Sequence, residues 1–286
     1  MKIKILLLGS AGMAGQVLKK ELEKYSDQID LIDIARSSKI SIPKIELDVT
    51  NFEELRKIIK NNGFDFIINC IGVLNNFAEN NPDKAILINS YLPHYLEKIT
   101  SETDTKIIHI STDCVFSGKR GLYNESDIKD GIGFYAQSKA LGEIINNKDL
   151  TLRTSIIGPD LNENGIGLFK WLLKQSGSIN GYTNAFWSGI TTIQLARVIV
   201  DIVLGTNFPS GIIHLTNNHK ISKFHLLSII KEVFELNNIE IIGCDKYRVD
   251  KSIINTREDL KLIIPEYREM INDMITWMKI NNYKIK

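Results

Sequence analysis

The chain has few of the residues that mark a disulfide framework or a metal site. Its 286 residues include three cysteines, Cys70, Cys114 and Cys244, which are widely spaced and form no CxxC pair. An odd number of such cysteines argues against structural disulfides and against zinc, and it suits a reducing cytoplasm. The five histidines have no metal-ligand spacing, so we expect no metal.

Strong charge and long apolar runs are also lacking. The formal net charge is +1, with 43% hydrophobic and 24% charged residues. This composition is that of an ordinary globular protein, and it gives no electrostatic case for nucleic acid or membrane partners. The apolar run before Gly9 is too short to span a bilayer or to serve as a secretory signal. We therefore expect a cytoplasmic protein.

Apolar runs and helical patterns alternate through the first half of the chain. Strands are predicted at KIKILLLG, IDLIDIA, FDFIINCIG, TKIIHIST and TLRTSIIG, with a short one before Asp48. Continuous apolar strands between amphipathic helices are typical of a parallel sheet covered on both faces. The predicted fold is α/β, a Rossmann-type doubly wound parallel sheet of six strands by Gly158. A smaller C-terminal unit is predicted to begin after Pro159.

A glycine-rich turn follows the first predicted strand. Gly9, Gly12 and Gly15 have GxxGxxG spacing and lead into a helix. Glycines let the backbone approach a pyrophosphate, and a helix N-terminus supplies N–H donors and partial positive charge. The turn therefore predicts dinucleotide binding by its glycines and by Ser10, Met13 and Ala14, although such a turn can also serve close packing alone.

The ends of the second and third strands bear on which dinucleotide binds. Asp33 suits a ribose hydroxyl, whereas Arg36 and Ser37 suit a 2′-phosphate. We favour NADP(H) and keep NAD(H) as an alternative. Asp48, followed by Val49, could meet the adenine amino group or could belong to the N-terminal cap of the next helix, and both interpretations stay open.

The fourth strand ends in a short segment suited to a cofactor. Cys70, Ile71 and Gly72 close this strand, and ligands of open α/β sheets gather at the carboxyl ends of strands. A small residue here would let the cofactor lie across the sheet edge.

Three side chains from two later segments predict carbonyl reduction. Thr112 ends the strand TKIIHIST, while Tyr135 and Lys139 lie one helical turn apart in FYAQSKAL. A free tyrosine has a pKa of about 10, so a nearby cation such as Lys139 is expected to favour the phenolate. Tyr135 would donate a proton to a substrate oxygen as hydride arrives from nicotinamide, and Thr112 would orient that oxygen.

The segments STDCVFSG, FYAQSK, LRTSIIG and KSIINTREDL resemble the extended short-chain dehydrogenase/reductases, and within them the dTDP-4-dehydrorhamnose reductase group. The resemblance covers essentially the whole chain. It implies catalytic roles for Thr112, Tyr135 and Lys139, and it places Asn89 where it steadies the lysine through backbone and water. It also implies NADPH or NADH as hydride donor and a nucleotide-linked 4-keto-6-deoxy sugar as substrate, for deoxysugar and surface polysaccharide biosynthesis.

Substrate contacts are expected beyond the fourth and fifth strands and in a later aromatic segment. The candidates are Val73, Thr112, Asp113, Cys114, Asn184 and Trp187. The chain departs from the resembled group at CIGVLNNF, at INGYTNAFWSGIT and at Cys114, which replaces an aromatic residue. Trp187 and Asn184 lie in a predicted long loop, and an aromatic core that tethers this loop is an equal alternative.

Domain boundaries and alternative functions complete the predictions. We expect a dinucleotide-binding domain at 1–158, rejoined at about 188–217, and a substrate-binding domain at 159–187 and 218–286. A homodimer could form through helices around Leu92 and Tyr135. The alternative functions are a nucleotide-sugar 4-epimerase or dehydratase on the same fold, and a non-catalytic regulatory subunit resembling that of methionine adenosyltransferase.

Overall fold

The central sheet has seven strands, all parallel, within the residues that the computed structural model describes: 1–36, 42–160, 165–259 and 262–283. They are β1 (Ile3–Leu8), β2 (Ile29–Ala35), β3 (Ile45–Glu46), β4 (Phe66–Asn69), β5 (Lys106–Thr112), β6 (Leu150–Thr154) and β10 (Gly211–His214). Their order is β10-β6-β5-β4-β1-β2-β3. The chain winds outward in opposite directions from β1 and from β4, so a crevice forms between the carboxyl ends of these two strands.

Both faces of the sheet are covered by helices because side chains alternate along each strand. Ile5 and Leu7 of β1 belong to one apolar core, and Leu6 and Leu8 belong to the other. The first core includes residues of α1 (Met13–Glu23), α8 (Thr192–Leu204) and α10 (Tyr267–Ile280), and the second includes residues of α2 (Phe52–Asn62) and α5 (Leu92–Thr100). The predicted α/β fold with a doubly covered parallel sheet is confirmed.

Between β4 and β5 the chain forms α-helices and a π-helical turn. The helices α3 (Asn75–Asn80) and α4 (Pro82–Ala85) precede a π-helical turn at Ile86–Tyr91, which continues into α5. π-Helical turns are frequent at functional sites because they displace a side chain from the regular helical register. Asn89 lies inside this turn.

A second sheet forms from the later part of the chain. Its strands are β8 (Gly177–Trp187), β11 (Ile221–Ser222) and β12 (Ile239–Asp250), with β8 central and parallel to β12. The helices α7 (Leu168–Leu173) and α9 (Lys223–Val233) accompany it, and β7 (Ile156–Ile157) pairs separately with β9 (Ile190–Thr191).

The prediction of a long loop at INGYTNAFWSG was wrong, because this segment is the greater part of β8. Glycine and asparagine are weak strand formers, so the local sequence does not indicate a strand. The backbone pairing with β12, which lies some sixty residues later in the chain, supplies the order that local propensity lacks. Within the described ranges, no helix combines the length and the apolar character needed to cross a bilayer.

Candidate active site

The glycine-rich turn lies at the crevice between β1 and β4. Gly9 has a φ of +87°, which glycine adopts freely, and a Cβ on Gly15 would lie 2.1 Å from the Gly9 carbonyl oxygen. The first turn of α1 has no acidic residue and no side-chain cap, so its N–H groups are left for a ligand. Ser10 is fully buried, and among the described residues its hydroxyl has no hydrogen-bond partner. This donor set fits a pyrophosphate.

Asp33, an acidic residue of β2, is already hydrogen-bonded to other groups of the protein. Asp33 is fully buried and accepts hydrogen bonds from the Lys19 ammonium at 3.1 Å and from the Lys44 backbone N–H at 3.2 Å. Arg36, at the end of this strand, is exposed. Ser37 lies outside the described residues.

Asp48 is exposed and organises its own turn. The backbone N–H and the hydroxyl of Thr50 donate to its carboxylate, which holds the pKa of Asp48 below its ordinary value, and the charge of Arg36 lowers it further. Asn51, rather than Asp48, caps the following helix, since its side-chain oxygen accepts from the Glu54 N–H at 3.2 Å. Val49 is buried in the core. An adenine contact by Asp48 stays a prediction.

The end of β4 meets the glycine-rich turn. The Cys70 N–H donates to the Leu8 carbonyl at 3.1 Å, and the Ile71 side chain lies against Gly9. Burial raises the pKa of the Cys70 thiol, so it is neutral. Gly72 faces the side chain of Asn89.

Asn89 links the segment that follows β4 to α6 (Phe134–Leu141), the helix that contains Tyr135. Its side-chain amide donates to the Val73 carbonyl at 2.9 Å and to the Ser138 hydroxyl at 3.0 Å, and its oxygen accepts from the Val73 N–H at 2.8 Å. Asn89 therefore fixes the helix next to Lys139.

Thr112 and Tyr135 come together at the end of β5. The Thr112 oxygen accepts from the Cys114 N–H at 3.1 Å, and its hydroxyl donates to the Asp113 carboxylate at 3.2 Å. Burial raises the pKa of the Tyr135 phenol, with further increases from Cys114 and Asp113, while a hydrogen bond with Thr112 lowers it. The phenol is consequently protonated at neutral pH and can act as an acid.

Lys139 is buried beneath the sheet edge. Its ammonium donates to the Ile110 carbonyl at 2.7 Å and lies 3.4 Å from His109 Nε2. Burial lowers the pKa of Lys139 to about 8, against the charges of Glu143 and Cys70, which raise it. The charges that act on the pKa of Tyr135 are those of Cys114 and Asp113, whereas the sequence predicted that Lys139 would do so.

Glu79 is a site residue that sequence reasoning missed. Its carboxylate, from α3, accepts hydrogen bonds from the backbone N–H groups of Phe134 at 3.0 Å and of Tyr135 at 3.1 Å. A carboxylate at a helix N-terminus is favourable because it meets the unpaired N–H groups and the positive end of the helix dipole. A partner fifty-five residues away leaves no local signal.

A cavity of about 420 Å³ begins at Asp113 and Cys114 and extends to the second sheet. Trp187 lines this cavity and also belongs to the first apolar core, so both of its predicted roles stay open. Val73 and Asn184 are not among the cavity's described lining residues; the Asn184 amide donates to the Asp245 carbonyl at 3.4 Å. The lining also includes Tyr182 of the same aromatic segment and, outside the predicted set, Trp171, Tyr247, Lys223 and Lys251.

Two lysines of this cavity face the Asp113 carboxylate. Burial raises the pKa of Asp113, whereas the charges of Lys251 and Lys223 lower it. Burial in turn lowers the pKa of Lys223, whereas the charges of Asp113 and Cys114 raise it. The cavity thus combines aromatic walls with cationic groups, which suits a ligand that carries both a ring and an anionic group.

The fold and the site define a class: a Rossmann-type α/β protein whose glycine-rich turn and Thr-Tyr-Lys residues meet at one edge of the sheet. The chain belongs to the RmlD substrate binding domain family, whose model matches residues 2–278. This membership confirms the resemblance to the dTDP-4-dehydrorhamnose reductase group.

Several known proteins similar to the chain are named dTDP-4-dehydrorhamnose reductase. A dTDP-4-dehydrorhamnose reductase of Aggregatibacter actinomycetemcomitans is 28% identical over 232 residues, which are 77% of this chain and 75% of that protein. A solved structure of a hypothetical dTDP-4-dehydrorhamnose reductase from Sulfolobus tokodaii has a TM-score of 0.74 and 28% identity, and the match covers 88% of this chain and 92% of that one. The dTDP-4-dehydrorhamnose reductase of Bacillus anthracis, solved in complex with NADP, shares the fold with a TM-score of 0.81 at 22% identity. The match covers 97% of this chain and 100% of that one.

Proposed function

We propose that this protein is an NADP(H)-dependent reductase of the 4-keto group of a nucleotide-activated 6-deoxy sugar. The observation that carries the proposal is the convergence of Thr112 and Tyr135 at the end of β5, where the cavity begins at the neighbouring Asp113 and Cys114. The relatives named dTDP-4-dehydrorhamnose reductase support the substrate class, and the Bacillus anthracis structure supports NADP as coenzyme.

The residues at the crevice would hold the coenzyme. The turn at Gly9, Gly12 and Gly15, with Ser10, is suited to its pyrophosphate, and Arg36 is suited to a 2′-phosphate because Asp33 is occupied by Lys19. When bound, the coenzyme supplies the hydride.

The chain's own residues handle the proton. The Thr112 hydroxyl, which donates to Asp113 in this structure, would turn to donate to the substrate oxygen and orient it towards Tyr135, whose phenol would give its proton to that oxygen as the carbon is reduced. The raised pKa of Tyr135 keeps this proton in place until charge develops on the substrate oxygen. The aromatic and cationic walls of the cavity would receive the nucleotide, with Lys223 and Lys251 close to its diphosphate.

The proposal is tested with NADPH and NADH oxidation assays on dTDP-, UDP-, GDP- and CDP-linked 4-keto-6-deoxy sugars. Tyr135→Phe should lower turnover at least about 100-fold, because the proton donor is gone, and should bind NADPH unchanged. Tyr95→Phe is the matched control, since the Tyr95 hydroxyl donates to the Phe52 carbonyl on a distant helix. Isomerisation of the sugar without net coenzyme oxidation, or full activity of Tyr135→Phe, would overturn the proposal.

We also propose the predicted domain division, in which 1–158 and about 188–217 form the dinucleotide-binding domain and 159–187 and 218–286 the substrate-binding domain. The membership of β10 in the large sheet, and of β8, β11 and β12 in the small one, supports it.

The exposed apolar side chains of Ile86, Tyr91 and Leu141 support a homodimer, which light scattering would test. Three free cysteines support a cytoplasmic location.

A further inference from the structure

A buried histidine without a part in the proposed reaction lies against Lys139. His109 belongs to β5 and is fully buried. Its Nδ1 lies 3.2 Å from the side-chain nitrogen of Asn69, at the end of β4, and its Nε2 lies 3.4 Å from Lys139 Nζ. The three side chains form one row beneath the coenzyme crevice.

The backbone fixes how the Asn69 amide is oriented. Its oxygen accepts from the Ile71 N–H at 3.1 Å, so the NH₂ group is the part that faces His109. Nδ1 of His109 therefore accepts a hydrogen bond, and the neutral ring carries its proton on Nε2. This Nε2–H faces Lys139 Nζ. An ammonium group has no lone pair with which to accept it, whereas a neutral amine does.

We propose that Asn69 and His109 are positioning residues that favour the neutral amine form of Lys139 by presenting Nε2–H to its nitrogen. The consequence for catalysis rests on the proposed reductase function: near neutral pH Lys139 meets the coenzyme as a mixture of amine and ammonium forms and not as a fixed positive charge.

The charged groups around this row are compatible with the proposal. Glu143, which follows α6, and Cys70, which follows β4, raise the pKa of Lys139, but burial outweighs them and brings it to about 8. Burial, Lys139 and His94 of α5 hold the pKa of His109 well below its ordinary value, so the ring stays neutral. Both forms of Lys139 are therefore accessible near neutral pH.

Nuclear magnetic resonance of the coenzyme-free protein tests the inference directly. Two-bond ¹H–¹⁵N spectra of ¹⁵N-histidine protein should show His109 as the neutral Nε2–H tautomer. The ¹³Cε resonance of Lys139, assigned by its loss in Lys139→Met, should titrate near pH 8, below the exposed lysines. An Nδ1–H tautomer or an imidazolium ring at neutral pH would contradict the proposal.

Two variants change the row of Asn69, His109 and Lys139 in different ways. If one of them fails to fold, the other still tests the inference. In Asn69→Asp the carboxylate accepts from Nδ1–H, Nε2 becomes an acceptor, and the Lys139 midpoint should rise by about one pH unit or more. In His109→Met the opposing N–H is removed while the site stays buried, and the midpoint should also rise. His219→Met, at an exposed histidine, is the control and should change neither signal.

An unchanged Lys139 midpoint in the folded variants would overturn the inference. Because these measurements use neither substrate nor coenzyme, that result would leave the proposed reductase function standing. A protein inactive on every sugar tested would likewise leave the tautomer and the titration of Lys139 as they are.

Discussion

Burial of Lys139 makes the stability of the protein depend on pH. Its pKa is about 8 in the folded chain, below its ordinary value of 10.5. Between these two values the unfolded chain binds a proton that the folded chain does not, so this group makes the free energy of unfolding rise with pH through that window. Below pH 8 the folded protein holds a buried charge at a cost of about 3 kcal/mol.

Lys139→Met should remove this cost. We expect the variant to be more stable than the parent at pH 7, by up to about 3 kcal/mol, because the apolar side chain fills the site without a charge. The difference should shrink as pH rises towards 10. Denaturant unfolding at pH 7 and at pH 10 measures it, and a difference that is the same at both pH values would contradict the assignment of the low pKa to Lys139.

Arg36 is the residue expected to choose between coenzymes. Asp33 is held by Lys19 and Lys44, which leaves the exposed guanidinium of Arg36 to meet a 2′-phosphate. Arg36→Ala should weaken NADPH binding about 10-fold or more and leave NADH binding nearly unchanged, since one charge-assisted contact is lost. Fluorescence titration of both coenzymes measures this, and equal weakening of both would assign Arg36 a structural role.

At the level of secondary-structure elements, the turn between β1 and α1 depends on Gly15. A Cβ there would lie 2.1 Å from the Gly9 carbonyl oxygen, so Gly15→Ala must push the helix away from the turn. We expect a loss of about 1–3 kcal/mol in the free energy of unfolding and weaker coenzyme binding. Gly12→Ala is the matched control, because its Cβ would lie 3.3 Å from the same oxygen. Equal stability of the two variants would contradict this account.

Elements with local signals could be predicted from the sequence, and those that depend on distant partners could not. The strand β1, the glycine-rich turn and the helix with Tyr135 each have their own periodicity or spacing, and the structure has all three. The strand β8 has no such signal, because β12 supplies its order. The placement of Lys139 against His109, and of Glu79 at the start of α6, likewise requires the packing of separate elements.

Across the whole molecule, a buried ionic network joins the large sheet to the C-terminal part of the chain. Arg153 of β6 is almost fully buried and contacts both carboxylate oxygens of Glu143, at 2.7 and 2.8 Å. It also donates to His214 of β10 at 3.1 Å, and His214 bonds the Ile254 carbonyl at 2.9 Å. Glu125 accepts from both His214 and Thr256. These contacts make Arg153 an anchor between the large sheet and the C-terminal part of the chain.

Removing Arg153 and Glu143 together should therefore cost less stability than the two single removals added together. Arg153→Met leaves Glu143 buried with only Lys129 and Ser111, and we expect a loss of about 3–5 kcal/mol in the free energy of unfolding. Glu143→Gln leaves the guanidinium without its carboxylate, whereas the double variant leaves neither charge unpaired. Its loss should be clearly smaller than the sum of the two single losses.

The pH dependence of the same variants separates charge from packing. Burial raises the pKa of Glu143, but Arg153, Lys129 and Ser111 outweigh it and hold this pKa below its ordinary value. The stabilising contribution of Glu143 is therefore present above pH 4.5 and is lost as pH falls. In Arg153→Met the pKa of Glu143 should rise, and protonation then relieves the unpaired charge. The deficit of this variant should thus be largest near pH 7 and shrink towards pH 4 in denaturant unfolding. A deficit that does not change with pH would mean that Arg153 stabilises the join by packing on Phe116, whose ring centroid lies 5.3 Å from its guanidinium carbon.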